Sequence, residues 1–234
     1  MIKDENDFFK VIIKILTDNK IEYFIDQGSL LGIIRENRIL PWEDDLDFGL
    51  FSDKYTRDQI TNIFVSHGFI KQDLDKAYKS SLHFLYNNQR TVDFTFYEKE
   101  NNFGVSYFPI SESIKRRILK LVLLLLQKKY DTPLDLSKPK RLFLILFRII
   151  LFPFSFSSIF KDFILKKINQ NRRPLKSFKI PLDYIIKTKK ITFMETEILI
   201  PHKPEDYLVY QYGLNWKKVI KNYNWEKEST EAFK

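Results

Sequence analysis

The sequence predicts an α/β (α+β) fold, a mixed sheet flanked by helices and carrying a basic, apolar helical insertion. Three observations predict it. Apolar and polar residues alternate with period two in DLDFGL, SLHFLY and TVDFTFY, as in half-buried strands. Apolar residues near the N-terminus recur at helical spacing. After Phe108 the texture changes to long apolar runs set among Lys and Arg.

Taken in order, Phe8, Phe9, Ile12, Ile13, Ile15 and Leu16 define an amphipathic helix over about residues 5–19. EYFIDQ reads as a short strand over 22–27. Residues 29–35 form a short helix, with Gly28 giving a tight turn and Ser29 as its N-cap. Strand 45–50 follows, then a helix over 53–66 that Gly68 ends. Strands are expected at 81–86, 91–97 and 104–108, the first two joined by a hairpin turn at Asn87-Asn88. Residues 112–130 and 142–160 are apolar and helical, the latter interrupted by Arg148 and Pro153. Beyond Pro174 the composition is mixed again, with a strand at 198–201 and a helix at 204–212. The expected organisation is a core domain over 1–110, a basic insertion over 111–176, and a C-terminal part over 177–234 that completes the core.

A length of 234 residues allows one sizeable core. No cysteine is present, which excludes a disulfide scaffold and a Cys-based zinc site. The first residues, MIKDENDFFK, show no secretory pattern, so the expected location is cytoplasmic. The net charge of +9 is unevenly placed: residues 115–176 hold 16 Lys and Arg against 3 Asp, and the rest of the chain is net acidic.

Within that acidic part, Asp45 and Asp47 stand two apart on a strand and so project from one face. Two carboxylates side by side repel unless a cation lies between them, and the hard divalent ions that prefer oxygen ligands are the natural occupants. Asp93, on another alternating strand, supplies a third carboxylate if the two strands are neighbours. Upstream, Gly28-Ser29 opens a helix whose backbone N–H groups suit an anion, and Arg35 follows as a cation. Phosphate donors, a cation and metal ligands in that order point to phosphoryl transfer.

That order, in GSLLGIIRENRILPWEDDLDFGL (28–50), resembles the LicD/fukutin family of phosphotransferases within the nucleotidyltransferase-fold superfamily. Pro41-Trp42 and the acidic stretch Glu43-Asp44-Asp45-Leu46-Asp47 match the family signature, with Glu43 where Asp is commoner. A C-terminal stretch, 200–225, with Tyr207-Leu208, Tyr212-Gly213, Trp216 and Trp225, is similar to the family's closing motif of fukutin type. The resemblance implies a nucleotidyltransferase-like sheet and transfer of a phospho-alcohol, ribitol phosphate or phosphocholine, from a CDP-alcohol to a sugar hydroxyl of a surface glycan or lipid-linked precursor. It implies Mg²⁺ or Mn²⁺ on Asp45, Asp47 and Asp93 with Asp44 assisting, donor phosphate at Gly28, Ser29 and Arg35, and Asp93 as the base. Glu43 is expected to be dispensable. The alternatives are an NTP-dependent nucleotidylyltransferase on the same metal site and a non-catalytic membrane-associated subunit of glycan assembly.

Other residues carry weaker signals. Trp42 either stacks on a base or caps the core; Tyr212 and Trp216 either line an acceptor pocket or pack a helix on the sheet. Arg90 reads as a solvated cation. His83 reads as a hydrogen-bonded strand histidine, and no His pair has metal-ligand spacing. For the basic segment, a membrane span is opposed by Arg148, which would cost roughly 2.5–3.5 kcal/mol at mid-span. Helices packed on the domain, presenting a basic, apolar face to the cytoplasmic leaflet, fit better. A nucleic-acid partner is not expected, because the charges interleave with Leu runs rather than with aromatic and polar residues.

Overall fold

A computed structural model describes residues 5–43, 45–72, 80–87, 90–109, 113–126, 138–170, 175–220 and 231–232. The chain divides into two compact units, Met1–Pro109 with Leu175–Lys234, and Ile110–Pro174.

The first unit is a mixed sheet with helices. Helix α1 (Glu5–Asp18) buries Phe8, Phe9, Ile12, Ile13 and Leu16, the residues its spacing selected. Strand β1 (Phe24–Ile25) is shorter than expected, because Asp26 leaves the strand to cap helix α2 (Gln27–Glu36). Its carboxylate accepts from the Gln27 N–H, and the sharp turn falls at Gln27, whose φ is +39°. Gly28 and Ser29 therefore lie inside the first helical turn, which corrects the expectation that Gly28 makes the turn and Ser29 the cap. An Asp with extended backbone takes the cap, as its side-chain acceptor favours.

Strand β2 (Asp45–Phe51) runs antiparallel to β1 and parallel to β5 (Arg90–Glu100). Between them come α3 (Arg57–Ser66), held by a Thr56–Gln59 capping box, β3 (Ile70–Lys71) and β4 (Ser81–Tyr86). The strand order is β1-β2-β5-β4-β3. The far end of β5 pairs with β6 (Phe103–Pro109), which pairs with β7 (Leu175–Pro181). A short helix α7 (Leu182–Ile185), the hairpin β8 (Thr188–Phe193) and β9 (Thr196–Pro201), and helix α8 (Pro204–Tyr212) complete the unit. Leu46 and Phe48 alternate with Asp45 and Asp47 and face the core, where Phe48 stacks on Phe94 at 5.5 Å and Phe64 meets Phe94 edge-on at 4.8 Å. Gly49 pairs with Phe24, whose ring passes where a side chain would stand.

The second unit holds α4 (Ile114–Leu125), α5 (Lys138–Leu151), a 3₁₀ turn (Phe152–Phe156) containing Pro153, and α6 (Ser158–Gln170). Leu125, Leu126 and Leu151 form a small core with Leu121, Leu144 and Phe160 packed on it. Buried Arg116 donates to the Ile168 carbonyl at 2.7 Å. Ile149, Ile150, Phe152, Ile159 and Phe163 are exposed. Among the described residues no single helix is long and apolar enough to cross a membrane; Leu144–Ser155 and Ser158–Ile168 pass that test only as a pair bent by 115°. Asn88 of the expected hairpin turn, residues 127–130 of the expected helix, and Trp225 lie outside the described residues.

Candidate active site

The site is built on two adjacent parallel strands. In their register Asp47 stands directly opposite Asp93, and Asp45 lies two residues before Asp47 on the same face. The structure thus brings the three carboxylates together: each offers an oxygen within 4.8 Å of the others. Burial pushes the Asp45 and Asp47 carboxyls above the ordinary range, and the neighbouring acids push them further: Asp93 and Glu43 for Asp45, Asp45 and Asp93 for Asp47. Asp44 lies outside the described residues.

The first turn of α2 packs against these carboxylates. The Ser29 backbone N–H donates to Asp47 Oδ2 at 3.3 Å, and the Ser29 hydroxyl accepts the Asp47 N–H at 2.8 Å. The helix N-terminus, where partial positive charge favours an anion, is thereby engaged with the Asp47 carboxylate. A Cβ on Gly28 would stand 3.1 Å from Glu43 Oε1 and 3.3 Å from Asp47 Oδ2, so the missing side chain is what admits both acids. Glu43 is also hydrogen-bonded to Asp45. It is nearer the centre than its departure from the family signature implied.

Arg35 sits at the other end of α2. Its guanidinium donates to Glu36 Oε1 from Nε at 3.0 Å and from an Nη at 2.6 Å, and it lies 6.0 Å from the centre of the Trp42 ring. Arg35, Trp42, Glu43, Tyr212 and Trp216 line a cleft of about 80 Å³. Trp42 is 44% exposed and so does not cap the core; Trp216 is buried, and Tyr212 half-buried. The cleft joins the two stretches of sequence that carried the family resemblance, and Glu43 belongs both to its wall and to the carboxylate group.

Two further groups bear on the site. His83 Nδ1 lies 2.7 Å from Asp93 Oδ2. Asp26, fully buried, accepts hydrogen bonds from Tyr97 at 2.7 Å and from Tyr207, and its backbone N–H donates to the Asp47 carbonyl at 3.0 Å. Burial outweighs these bonds and raises its carboxyl to about 6; burial raises both tyrosines too. Sequence reasoning placed Asp26 at a strand end. The available signal was an Asp immediately before a helical turn, the usual position of a cap.

Three carboxylates are a hard oxygen donor set, and a group of this kind could hold a metal ion.

Residues 20–141 match the LicD/FKTN/FKRP family, nucleotidyltransferase domain. Two curated relatives are an uncharacterized protein RP689 of Rickettsia prowazekii, 40% identical over 57 residues, and an uncharacterized protein RT0683 of Rickettsia typhi, 49% identical over 37 residues. These matches cover 24% and 16% of this chain and only 21% and 12% of the relatives. Among solved structures, lincosamide adenylyltransferase LnuA with lincomycin bound is similar at a TM-score of 0.43 and 8% identity, over 89% of this chain and 85% of that one. ANT(2")-Ia in complex with adenylyl-2"-tobramycin follows at 0.34 and 11%, over 71% and 97%. The family match spans more than half of the chain and contains all three carboxylates: this protein belongs to the LicD/FKTN/FKRP nucleotidyltransferase-domain family.

Proposed function

We propose that this protein is a metal-dependent transferase that moves a phospho-alcohol, ribitol phosphate or phosphocholine, from a CDP-activated donor to a sugar hydroxyl of a cell-surface glycan or its lipid-linked precursor. The observation that carries this reading is the meeting of Asp45, Asp47 and Asp93 on neighbouring strands at the N-terminus of α2. Family membership supports a transferase acting on glycans.

In this reading Asp45, Asp47 and Asp93 hold the cation, with Asp44 as a further candidate ligand. A bound cation supplies charge neutralisation at the donor pyrophosphate. Gly28 keeps the first turn of α2 open to the site, and Ser29 fixes Asp47 through two hydrogen bonds. Arg35 and Trp42 line the adjoining cleft, where a cation and an aromatic face suit the phosphate and base of the donor. The acceptor oxygen bonds to the phosphorus bearing the alcohol while that phosphorus loses its bridging oxygen, which leaves with CMP. Asp93 takes the hydroxyl proton.

The second unit completes the proposal at a membrane. Its exposed Ile149, Ile150, Phe152, Ile159 and Phe163, among lysines and arginines, suit the cytoplasmic leaflet and a lipid-linked acceptor. Vesicle flotation tests this half: co-flotation only when anionic lipid is included supports it, and no co-flotation with either vesicle refutes it. For the chemistry, thermal shift with Mg²⁺ is measured for CDP-ribitol, CDP-choline, CDP-glycerol, CTP and ATP. Stabilisation by a CDP-alcohol supports the reading, and stabilisation by nucleoside triphosphates alone overturns it. Loss of transfer in Asp45→Ala and Asp93→Ala is the matching requirement in a purified assay.

A further inference from the structure

His83 faces the site from the strand beyond Asp93. Strands β4 and β5 are antiparallel, and in their register His83 and Asp93 are direct partners, so both side chains leave the sheet on one face. Ser81, two residues earlier, shares that face. The ring nitrogens are both engaged: Nδ1 lies 2.7 Å from Asp93 Oδ2, and Nε2 lies 3.0 Å from the Ser81 hydroxyl oxygen. His83 and Asp93 side chains are 15% and 20% exposed, and Ser81 is buried. Ser81 is itself fixed, since Arg57 on α3 donates to its carbonyl at 2.5 Å.

We propose that Ser81 and His83 form a positioning chain that holds Asp93 in the orientation a divalent cation requires. One tautomer accounts for both of these contacts: Ser81 O–H donates to Nε2, and Nδ1–H donates to the Asp93 carboxylate. A carboxylate tethered at one oxygen no longer rotates freely, so the oxygen it offers within 4.8 Å of Asp45 and Asp47 is held in place. Such partners behind a metal ligand alter metal affinity by about 10–100-fold when removed, because they set ligand orientation before the ion arrives. His83 is thus a positioning residue rather than a ligand or a catalytic group.

This inference rests on the proposed metal site, and Mn²⁺ itself is the probe that separates the two. Binding is followed by electron paramagnetic resonance of free Mn²⁺ on the full chain, with Tm in EDTA as the folding control. Wild type is expected to bind, His83→Leu to bind about 10–100-fold more weakly, and His83→Asn to stay within about threefold, because the Asn amide nitrogen replaces Nδ1–H as donor. Wild-type protein that takes up no Mn²⁺ refutes the metal site. Wild-type binding with undiminished affinity in folded His83→Leu refutes the positioning role alone. Should the Leu variant not fold, the Asn variant decides: affinity kept supports the role, and a tenfold loss in folded His83→Asn overturns it.

Discussion

Asp45→Asn should make the metal-free protein more stable and the metal-loaded protein less responsive. Asp45, Asp47 and Asp93 lie within 4.8 Å of one another, and at that separation an effective dielectric near 20 gives about 3.5 kcal/mol of repulsion per ionised pair. Asp45 takes part in two such pairs and also faces Glu43. Proton uptake and solvent around half-buried groups relieve much of this, so about 2 kcal/mol is a realistic gain at pH 8. An Asn amide also gives Glu43 a donor. For a chain of this length the gain corresponds to a rise in Tm of about 4–8 °C in EDTA. Wild type responds to the cation instead: at 100 times its Kd, Mg²⁺ adds about 2.7 kcal/mol. The assay is thermal unfolding of both proteins in EDTA and in a Mg²⁺ series. A lowered EDTA Tm for Asp45→Asn, or an unchanged Mg²⁺ response, refutes the view that unneutralised carboxylates are held together here for a cation.

The remaining predictions address the parts around that cluster. Gly28→Ala should leave the unfolding free energy within about 1 kcal/mol of wild type, since Ala favours the helix, yet lower transfer about tenfold, because its Cβ displaces Glu43 and Asp47; urea midpoints and kcat/KM are measured together. Gly49→Ala should destabilise by about 1–3 kcal/mol in urea, because its Cβ would fall 2.2 Å from the Phe24 ring. Asp26, raised to about 6 by burial, binds its proton more tightly in the folded state than in the unfolded one. Its contribution is therefore fully present below about pH 4 and lost as pH rises through about 6; by up to about 3 kcal/mol wild type should lose stability across that window relative to Asp26→Asn, read from urea midpoints at each pH.

Much of this architecture was legible because alternation is local. DLDFGL and TVDFTFY each show a core face and a polar face without reference to the rest of the chain, and their acids fall on the polar one. That the two strands are neighbours is a tertiary fact, which the sequence left conditional. The parts that escaped reading lack a local pattern. Strand β7 carries Phe178 and Ile180 inward, but Lys176 and Ser177 precede them after a basic, apolar run, so its alternation is only two apolar residues long. Strand β8 opens Thr-Lys-Lys, and those first three residues are exposed. Strand β3 has two residues and exists through its pairing with β4. At the site, Glu43 was set aside because it departs from the usual Asp. Its position beside Gly28, fifteen positions earlier, is visible only in the folded chain.

The support of the site extends beyond residues 20–141, the span of the family match. Asp26 shows why. It caps α2, its N–H holds the Asp47 carbonyl, and its carboxylate is held by Tyr97 on β5 and Tyr207 on α8. One buried acid thus joins the helix that touches the carboxylates, the strand that carries Asp93 and a helix more than a hundred residues later. Trp216 and Tyr212, from that same late stretch, line the cleft together with Arg35 and Trp42. Strand β7 repeats the pattern at the sheet, since it supplies the partner that β6 pairs with across 65 intervening residues. A fragment ending near residue 141 would keep all three clustered carboxylates, yet it would lose a hydrogen bond to Asp26, part of the cleft lining and a strand of the sheet. Removing Tyr207 alone, as Tyr207→Phe, isolates the first of these losses. It leaves the ring in the core and takes one donor from a buried acid, which should destabilise the protein by about 1–3 kcal/mol. Stability unchanged in that variant would mean that Asp26 does not link the late helix to the site.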